Sequence, residues 1–420
     1  MRGNRFSIGL RAVLAMVSLA LFATVTAAGV EKVLYNFGCG ADGGWPWDGL
    51  IMDAAGNLYG TTQYGGSNPC PWGGGCGTVF ELSPSENGDW TERVLYNFAY
   101  DQVGNYDGAY PVAGLIFDAA GNLYGTTQGG GDYLCQGGGC GTVFELTPTE
   151  GGGWTEKKLH DFWEVGTNPN ASLIFDAAGN LYGTAGRSGG GSAFELTPQA
   201  DGSWTETKAY NFGAGLDGTG PNASLIFDAA GNLYSTTTGG GIHDSGTVFE
   251  LSPGQGGGWT EKVLHSFNPN GDDGASPMGS LIFDAAGNLY GTTSLGGAYG
   301  AGTAFELTRN QDGNWEEPPR LRHFGHDLDG SMPNANLIFD AAGNLYGTTA
   351  TGGGHDNGTV FELTPVGDGR WSEKQLHDFT RGGDGFAANS GLIWDAAGHL
   401  YGTTWAGGTH NLGTVFEITP

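Results

Sequence analysis

One stretch constrains this chain more than any other. It reads L-I-F-D-A-A-G-N-L-Y-G-T-T, intact from Leu281 to Thr293, and it returns with small changes seven times. Its aspartate falls at Asp53, Asp118, Asp176, Asp228, Asp284, Asp340 and Asp395, at intervals of 52 to 65 residues. Self-similarity at such a period marks a repeat architecture, in which each unit buries its apolar faces only against its neighbours. Residues 30–420 are therefore read as one repeating domain, not as two or three ordinary ones.

Every unit has the same layout. A turn segment, D-G-x-x-P, leads into a first strand, L-I-F-D. The tight turn A-A-G leads into a second, N-L-Y-G-T-T. A glycine-rich loop leads into a third, G-T-V-F-E-L, and a Gly/Asp segment leads into a fourth, W-T-E-K-V-L-H-x-F. These runs are short, rich in β-branched and aromatic residues, and bounded by Gly, Pro, Asn and Asp, so they read as strands. Most of the 82 glycines fall between the runs and act as turn punctuation. No helical period is found after the first 28 residues.

Four antiparallel strands repeated seven times predict an all-β fold, a seven-bladed β-propeller of four-stranded blades. An open β-array is the alternative, and one offset separates the two. The last unit stops after its third strand, while a spare fourth strand, Val30 to Phe37, precedes the first unit. A ring closed by the N-terminal strand completing the last blade explains that offset and removes the exposed edges. Strand alternation places Trp259, Glu261, Val263, His265 and Phe267 on one face, toward a neighbouring blade.

The unit L-I-F-D-A-A-G-N-L-Y-G-T-T…G-T-V-F-E-L resembles the bacterial GloVer tandem repeat of exported proteins. More distantly, D-x-x-G-N with an apolar residue and Tyr after it resembles the NHL-type propeller repeat. The resemblance covers residues 30–420 and implies a propeller fold and export. It implies no particular chemistry.

Residues 1–28 read as a secretory signal peptide. Arg2, Arg5 and Arg11 form a basic start, Ala12 to Val25 an apolar run, and Thr26-Ala27-Ala28 a small-residue cleavage site. The expected location is secreted, extracellular or periplasmic, with no membrane span after cleavage. The mature chain keeps 13 basic against 44 acidic residues, a balance that repels nucleic acid and anionic lipid. Its five cysteines are Cys39, Cys70, Cys76, Cys135 and Cys140. Cys70 with Cys76, and Cys135 with Cys140, sit in equivalent loops, so two local disulfides are the simplest pairing. A four-cysteine zinc site is the alternative; export and glycine-rich surroundings without histidine count against it.

The repeated motifs read as structural. The Asp of D-A-A-G-N caps a tight turn, and its spacing lacks the alternation of a calcium loop. The third-strand glutamates (Glu81, Glu145, Glu195, Glu250, Glu306, Glu362 and Glu417) face Lys32, Arg93, Lys157, Lys262 and Lys374 across the sheet. Tyr35, Tyr96, His160, Tyr210, His265, His323 and His377 interchange at one fourth-strand position, which indicates packing or hydrogen bonding and not ligation. The D-G aspartates Asp42, Asp107, Asp217, Asp273, Asp329 and Asp384 are weak candidates for a cation ring near the pore mouth, with Val165 replacing the acid in the third gap. A D-G turn before proline accounts for them without an ion.

What does not repeat is the better pointer to function. Trp45, Trp47, Trp72, Trp163 and Trp405 lie in the linking loops between units or in the glycine-rich loops, with Tyr64, Tyr106, Tyr110, Tyr133 and Phe386. Both loop sets share one face of a propeller. The candidate ligand-binding set is Trp45, Trp47, Trp72, Tyr106, Tyr110, Phe386 and Trp405, taking a glycan or a protein partner. Burial of these rings against one another beneath the loops is the alternative. No catalytic residue and no cofactor is indicated: the chain has no metalloprotease helix motif and no nucleophile elbow. The functional expectation is an exported binding propeller, with an extracellular polysaccharide hydrolase or lyase, or a structural scaffold, as the other readings.

Overall fold

The computed structural model describes residues 29–420 except 39, 69, 71–73, 100–106, 134, 136–138, 164–165, 187–189, 214–215, 255, 271 and 319–320. It is a seven-bladed β-propeller with no helix among the described residues. In the first blade Ile51–Met52 is innermost, with Leu58–Thr62, Thr78–Pro84 and Trp90–Asn97 outward of it in that order. The last blade consists of Ile393–Trp394, Leu400–Thr404 and Thr414–Thr419, and its outermost strand is Val30–Asn36. Val30 lies opposite Thr419 and Asn36 opposite Thr414. The N-terminal strand closes the ring, as the offset predicts.

The second strands are fully buried from Leu58 to Thr62 and at each later copy, because neighbouring blades cover both faces. Glycine at the third position of this strand is a packing requirement. A Cβ on Gly125 would stand 2.6 Å from Phe144 Cζ and 3.0 Å from Leu115 Cδ2. The fourth blade carries Ser235 there, whose hydroxyl donates to Ala223 O at 3.1 Å, so the place admits a short polar side chain. Gly125→Val should overpack it and cost about 1–3 kcal/mol, read as a lower urea midpoint. An unchanged midpoint would show that the blades can part.

The simple alternation of the fourth strand does not hold. In six blades its ladder slips by one residue, as between Val248 and Phe249, which face His265 and Val263. The extra residue, Leu264 here and Leu34, Leu95, Leu159, Ala209 or Leu376 elsewhere, is a β-bulge. A bulge bends its strand and re-aims the side chains on its far side. Trp259 therefore packs on Tyr182 of the preceding blade, while His265 turns to Glu317 of the next one. The fifth blade differs again. Its outermost strand is split into Trp315–Glu316 and Arg322–His323, since Pro318 supplies no ladder N–H. The split shifts the register by one. Arg322, opposite Ala304, occupies the place of His265, and His323 the place of Ser266. The sequence pattern that put His323 in the Tyr/His series is corrected to Arg322.

Candidate functional site

The linking loop into a blade and the glycine-rich loop of that blade are zipped together. Gly44 bridges Tyr64, Ala109 bridges Gly129, and Phe386 bridges Ala406. Gly218–Thr219, Gly274–Ala275 and Gly330–Ser331 pair with Gly239–Gly240, Leu295–Gly296 and Thr351–Gly352. The two loop sets therefore share one face. Disulfides Cys70–Cys76 and Cys135–Cys140 brace the two longest glycine-rich loops, with Cα atoms 5.2 and 5.1 Å apart. Cys39, Trp72, Tyr106 and Val165 lie outside the described residues.

The loop aromatics divide into groups. Trp47 is 38% exposed and meets Trp405 edge to face, with centroids 6.1 Å apart. Trp45 packs against a core cluster and touches Tyr64 at 5.6 Å; Tyr64 in turn touches Tyr110 at 5.1 Å. The Tyr110 hydroxyl is 3.4 Å from Cys70 Sγ, so this row of rings leans on the first disulfide. Phe386 is half-buried under the Arg381 guanidinium, 5.0 Å above its ring. Tyr133 and Trp163 form a stacked exposed pair at 5.8 Å.

Where the linking loops enter the first strands, they line the central channel. A cavity of 220 Å³ opens there, bounded by Trp47, Asp48, Gln63, Gln128, Asn170, Asn222, Met278, Asn334 and Asn389, among others. The residue after each D-G-x-x-P proline, whose place Ala388 takes in the last unit, points the loop at this wall, and in four of the seven units it is Asn. The carboxamides are linked around the wall. Gln128 Nε2 donates to Asn170 Oδ1 at 3.0 Å, Asn170 Nδ2 to Asn222 Oδ1 at 3.2 Å, and Asn334 Nδ2 to Asn389 Oδ1 at 2.9 Å. Asn334 Oδ1 and Trp405 Nε1 are shielded from solvent and have no hydrogen-bond partner among the described residues.

Asp48 is the residue that sequence reasoning missed. The other six units place Ala113, Ala171, Ala223, Gly279, Ala335 and Ser390 at its position. Superposing the seven copies at that column would have exposed it. Its Oδ2 accepts from Gly114 N at 2.7 Å and Ser172 Oγ at 3.1 Å, and its Oδ1 from Gly49 N at 2.7 Å. Burial raises its pKa, against the lowering effect of those three donors. Thr403 Oγ1 holds its backbone by donating to Asp48 O at 3.2 Å.

The D-G aspartates lie against the outermost strands, away from the channel. Asp42 accepts from Tyr35 and Gly38 N, Asp107 from Tyr96 and Ala99 N, and Asp217 from Tyr210 and Gly213 N. Asp329 pairs with Arg322, and Asp384 accepts from Thr380. Each clamps its own linking loop. Each also faces a glutamate near the start of a neighbouring fourth strand, as Glu92 faces Asp42. Burial first, and the aspartate second, raise Glu31, Glu92 and Glu261 to about 7 and Glu156 to about 8. Burial likewise raises Glu373 to about 7, although Arg322 lies beside it. At the next boundary His265 Nε2 sits 3.2 Å from Asp273 and 3.4 Å from Glu317.

The repeat motifs have the structural roles their chemistry suggests. Asp53 Oδ1 accepts from Ala55 N and Asn57 N, and Oδ2 from Asn57 Nδ2 and the Tyr59 hydroxyl. Partial burial opposes ionisation, but these donors outweigh it and hold the pKa low. Glu81, Glu145, Glu250, Glu362 and Glu417 stand directly opposite Arg93, Lys157, Lys262, Lys374 and Lys32.

Fold and site together define a β-propeller whose one loop face surrounds a polar channel mouth. The chain belongs to the Gloeobacter/Verrucomicrobia repeat family, whose model matches residues 20–185, 73–284 and 256–420. No curated protein matches it. Among solved structures, it is similar to a Lactobacillus plantarum protein at 16% identity and a TM-score of 0.52, covering 81% of this chain and 95% of that one. It is also similar to a fungal alcohol oxidase of the AA5 family in complex with copper, at 14% identity and a TM-score of 0.57, covering 94% and 76%. An ancestral GH74 enzyme matches at 12% identity and a TM-score of 0.50, covering 89% and 50%. At these identities the likeness is one of fold.

Proposed function

We propose that this is an exported binding propeller that takes a glycan at the channel mouth. The carrying observation is the Trp47–Trp405 pair standing beside a wall of hydrogen-bonded carboxamides. Aromatic faces stack on the C–H faces of sugar rings, and carboxamides both donate to and accept from their hydroxyls. Hydrolysis fits less well. A glycoside hydrolase ordinarily uses two carboxylates flanking the bond, and Asp48 is the one carboxylate lining this cavity among the described residues.

The test is a glycan array probed with the mature chain and with a Trp47→Ala, Trp405→Ala double variant. Trp45 is left intact because it packs on the core. At least ten-fold weaker binding by the variant is expected. Unchanged binding, or no binding by the parent chain to any sugar, would overturn the reading.

A further inference from the structure

Below the mouth the channel continues into a second chamber of 140 Å³, bounded by Gly49, Ile51, Gly114, Ser172, Asn336 and Ile393, among others. Asp48 lines both chambers. It is also the sole charged residue among the described lining of either. A drug-sized pocket spans about 300–1,000 Å³, so the upper chamber has room for about one sugar ring and not for a chain segment. The Asp48 carboxylate has about four acceptor positions, of which three are filled by Gly49 N, Gly114 N and Ser172 Oγ. These donors fix its place on three blades, and none brings a positive charge. A buried carboxylate without a counter-charge favours a cationic ligand group and rejects an anionic one.

We infer that the upper chamber is a terminal subsite for a single amino-sugar residue, with Asp48 receiving its ammonium group while the rest of the chain leaves across Trp47. This rests on the glycan reading above and adds to it the end of the chain that is read and the charge that is selected. Asp48 is the specificity-determining residue. Ser172 is a positioning residue, acting through its 3.1 Å bond to the carboxylate.

Calorimetry at pH 6 with three tetramers of matched length separates the possibilities: a glucosamine tetramer (amine), cellotetraose (neutral) and tetragalacturonate (anion). The amine form should bind at least ten-fold tighter than the neutral one, and the anion should not bind. Free glucosamine should compete with its tetramer where glucose does not. Asp48→Asn should bring the amine and neutral tetramers within three-fold of each other, whereas Trp47→Ala should weaken both together. Ser172→Ala gives the same comparison with a smaller loss if Asp48→Asn does not fold, as judged by its melting curve. Binding that depends on Trp47 but ignores ligand charge, or a charge order that survives in both Asp48→Asn and Ser172→Ala, would overturn this inference and leave the glycan reading standing. Failure of all three tetramers and of the array would overturn both.

Discussion

A chain that begins after Phe37 should melt well below the intact chain or aggregate. The N-terminal strand contributes the outermost ladder of the last blade, and its Leu34 and Phe37 are buried in the cluster between that blade and the first. Burying two such side chains is worth about 1.5–3 kcal/mol each. Removing them also exposes Phe80 and Val415 and leaves the third strand Thr414–Thr419 as an open edge, a template for pairing with other chains. The sum is a large part of the roughly 5–15 kcal/mol that holds a typical domain folded. The shortened chain is expected to melt at least ~10 °C lower or to aggregate, and a peptide of residues 29–38 added in excess should restore part of the loss. A melting temperature within a few degrees of the intact chain would show that the ring does not depend on this closure.

The second large effect is a fall in stability as pH rises from about 4.5 to about 7. Glu31, Glu92, Glu156, Glu261 and Glu373 hold their protons in the folded state up to about pH 7 to 8. In the unfolded chain they release them near 4.5. Within that window the folded state binds more protons, so stability declines with rising pH, and the loss is complete above it. His160, pushed down to about 4 by burial and by Lys208, and His377, also lowered by burial, act in the opposite direction. The glutamates outnumber them. With solvent screening allowed for, each glutamate is worth about 1 kcal/mol, and the melting temperature should be several degrees higher at pH 5 than at pH 8. Below about pH 4 the turn aspartates, such as Asp53 and Asp118, whose pKa values are lowered, become protonated and stability falls again. Glu92→Gln, which keeps a neutral side chain at one boundary, should raise stability at pH 8 and leave pH 5 unchanged. A flat melting temperature between pH 5 and 8 would refute the assignment.

The fold was readable because seven copies repeat one hydrophobic pattern, and because a closed ring explains the offset of one strand better than an open array. Four of the five cross-strand charge pairs were readable for a related reason: register within a two-strand ladder is set by the turn that joins the strands. The fourth strands were harder. A one-residue bulge at Leu264 carries no letter that marks it, yet it sends Glu261 and His265 to different neighbours. The ladder of the next copy breaks at Pro318 and resumes one place later, which hid Arg322 behind His323. At the site, Trp47 was conspicuous by size, whereas Asp48 beside it looked like one more acid in a chain with 44 of them. Its distinction is positional: it interrupts a column of small residues that the ring brings together around one axis.

Closure by the first strand also sets an order of events in synthesis. Val30–Asn36 is made first among the strands and finds its partner last, after Thr414–Thr419 has emerged. At about 5–20 residues per second, it waits roughly 20–80 s with an unpaired edge. Until then the blades form an incomplete arc, and the channel wall, which runs from Asp48 round to Asn389, is not yet a wall. Nothing made early can lock the ring before Thr414–Thr419 has been made.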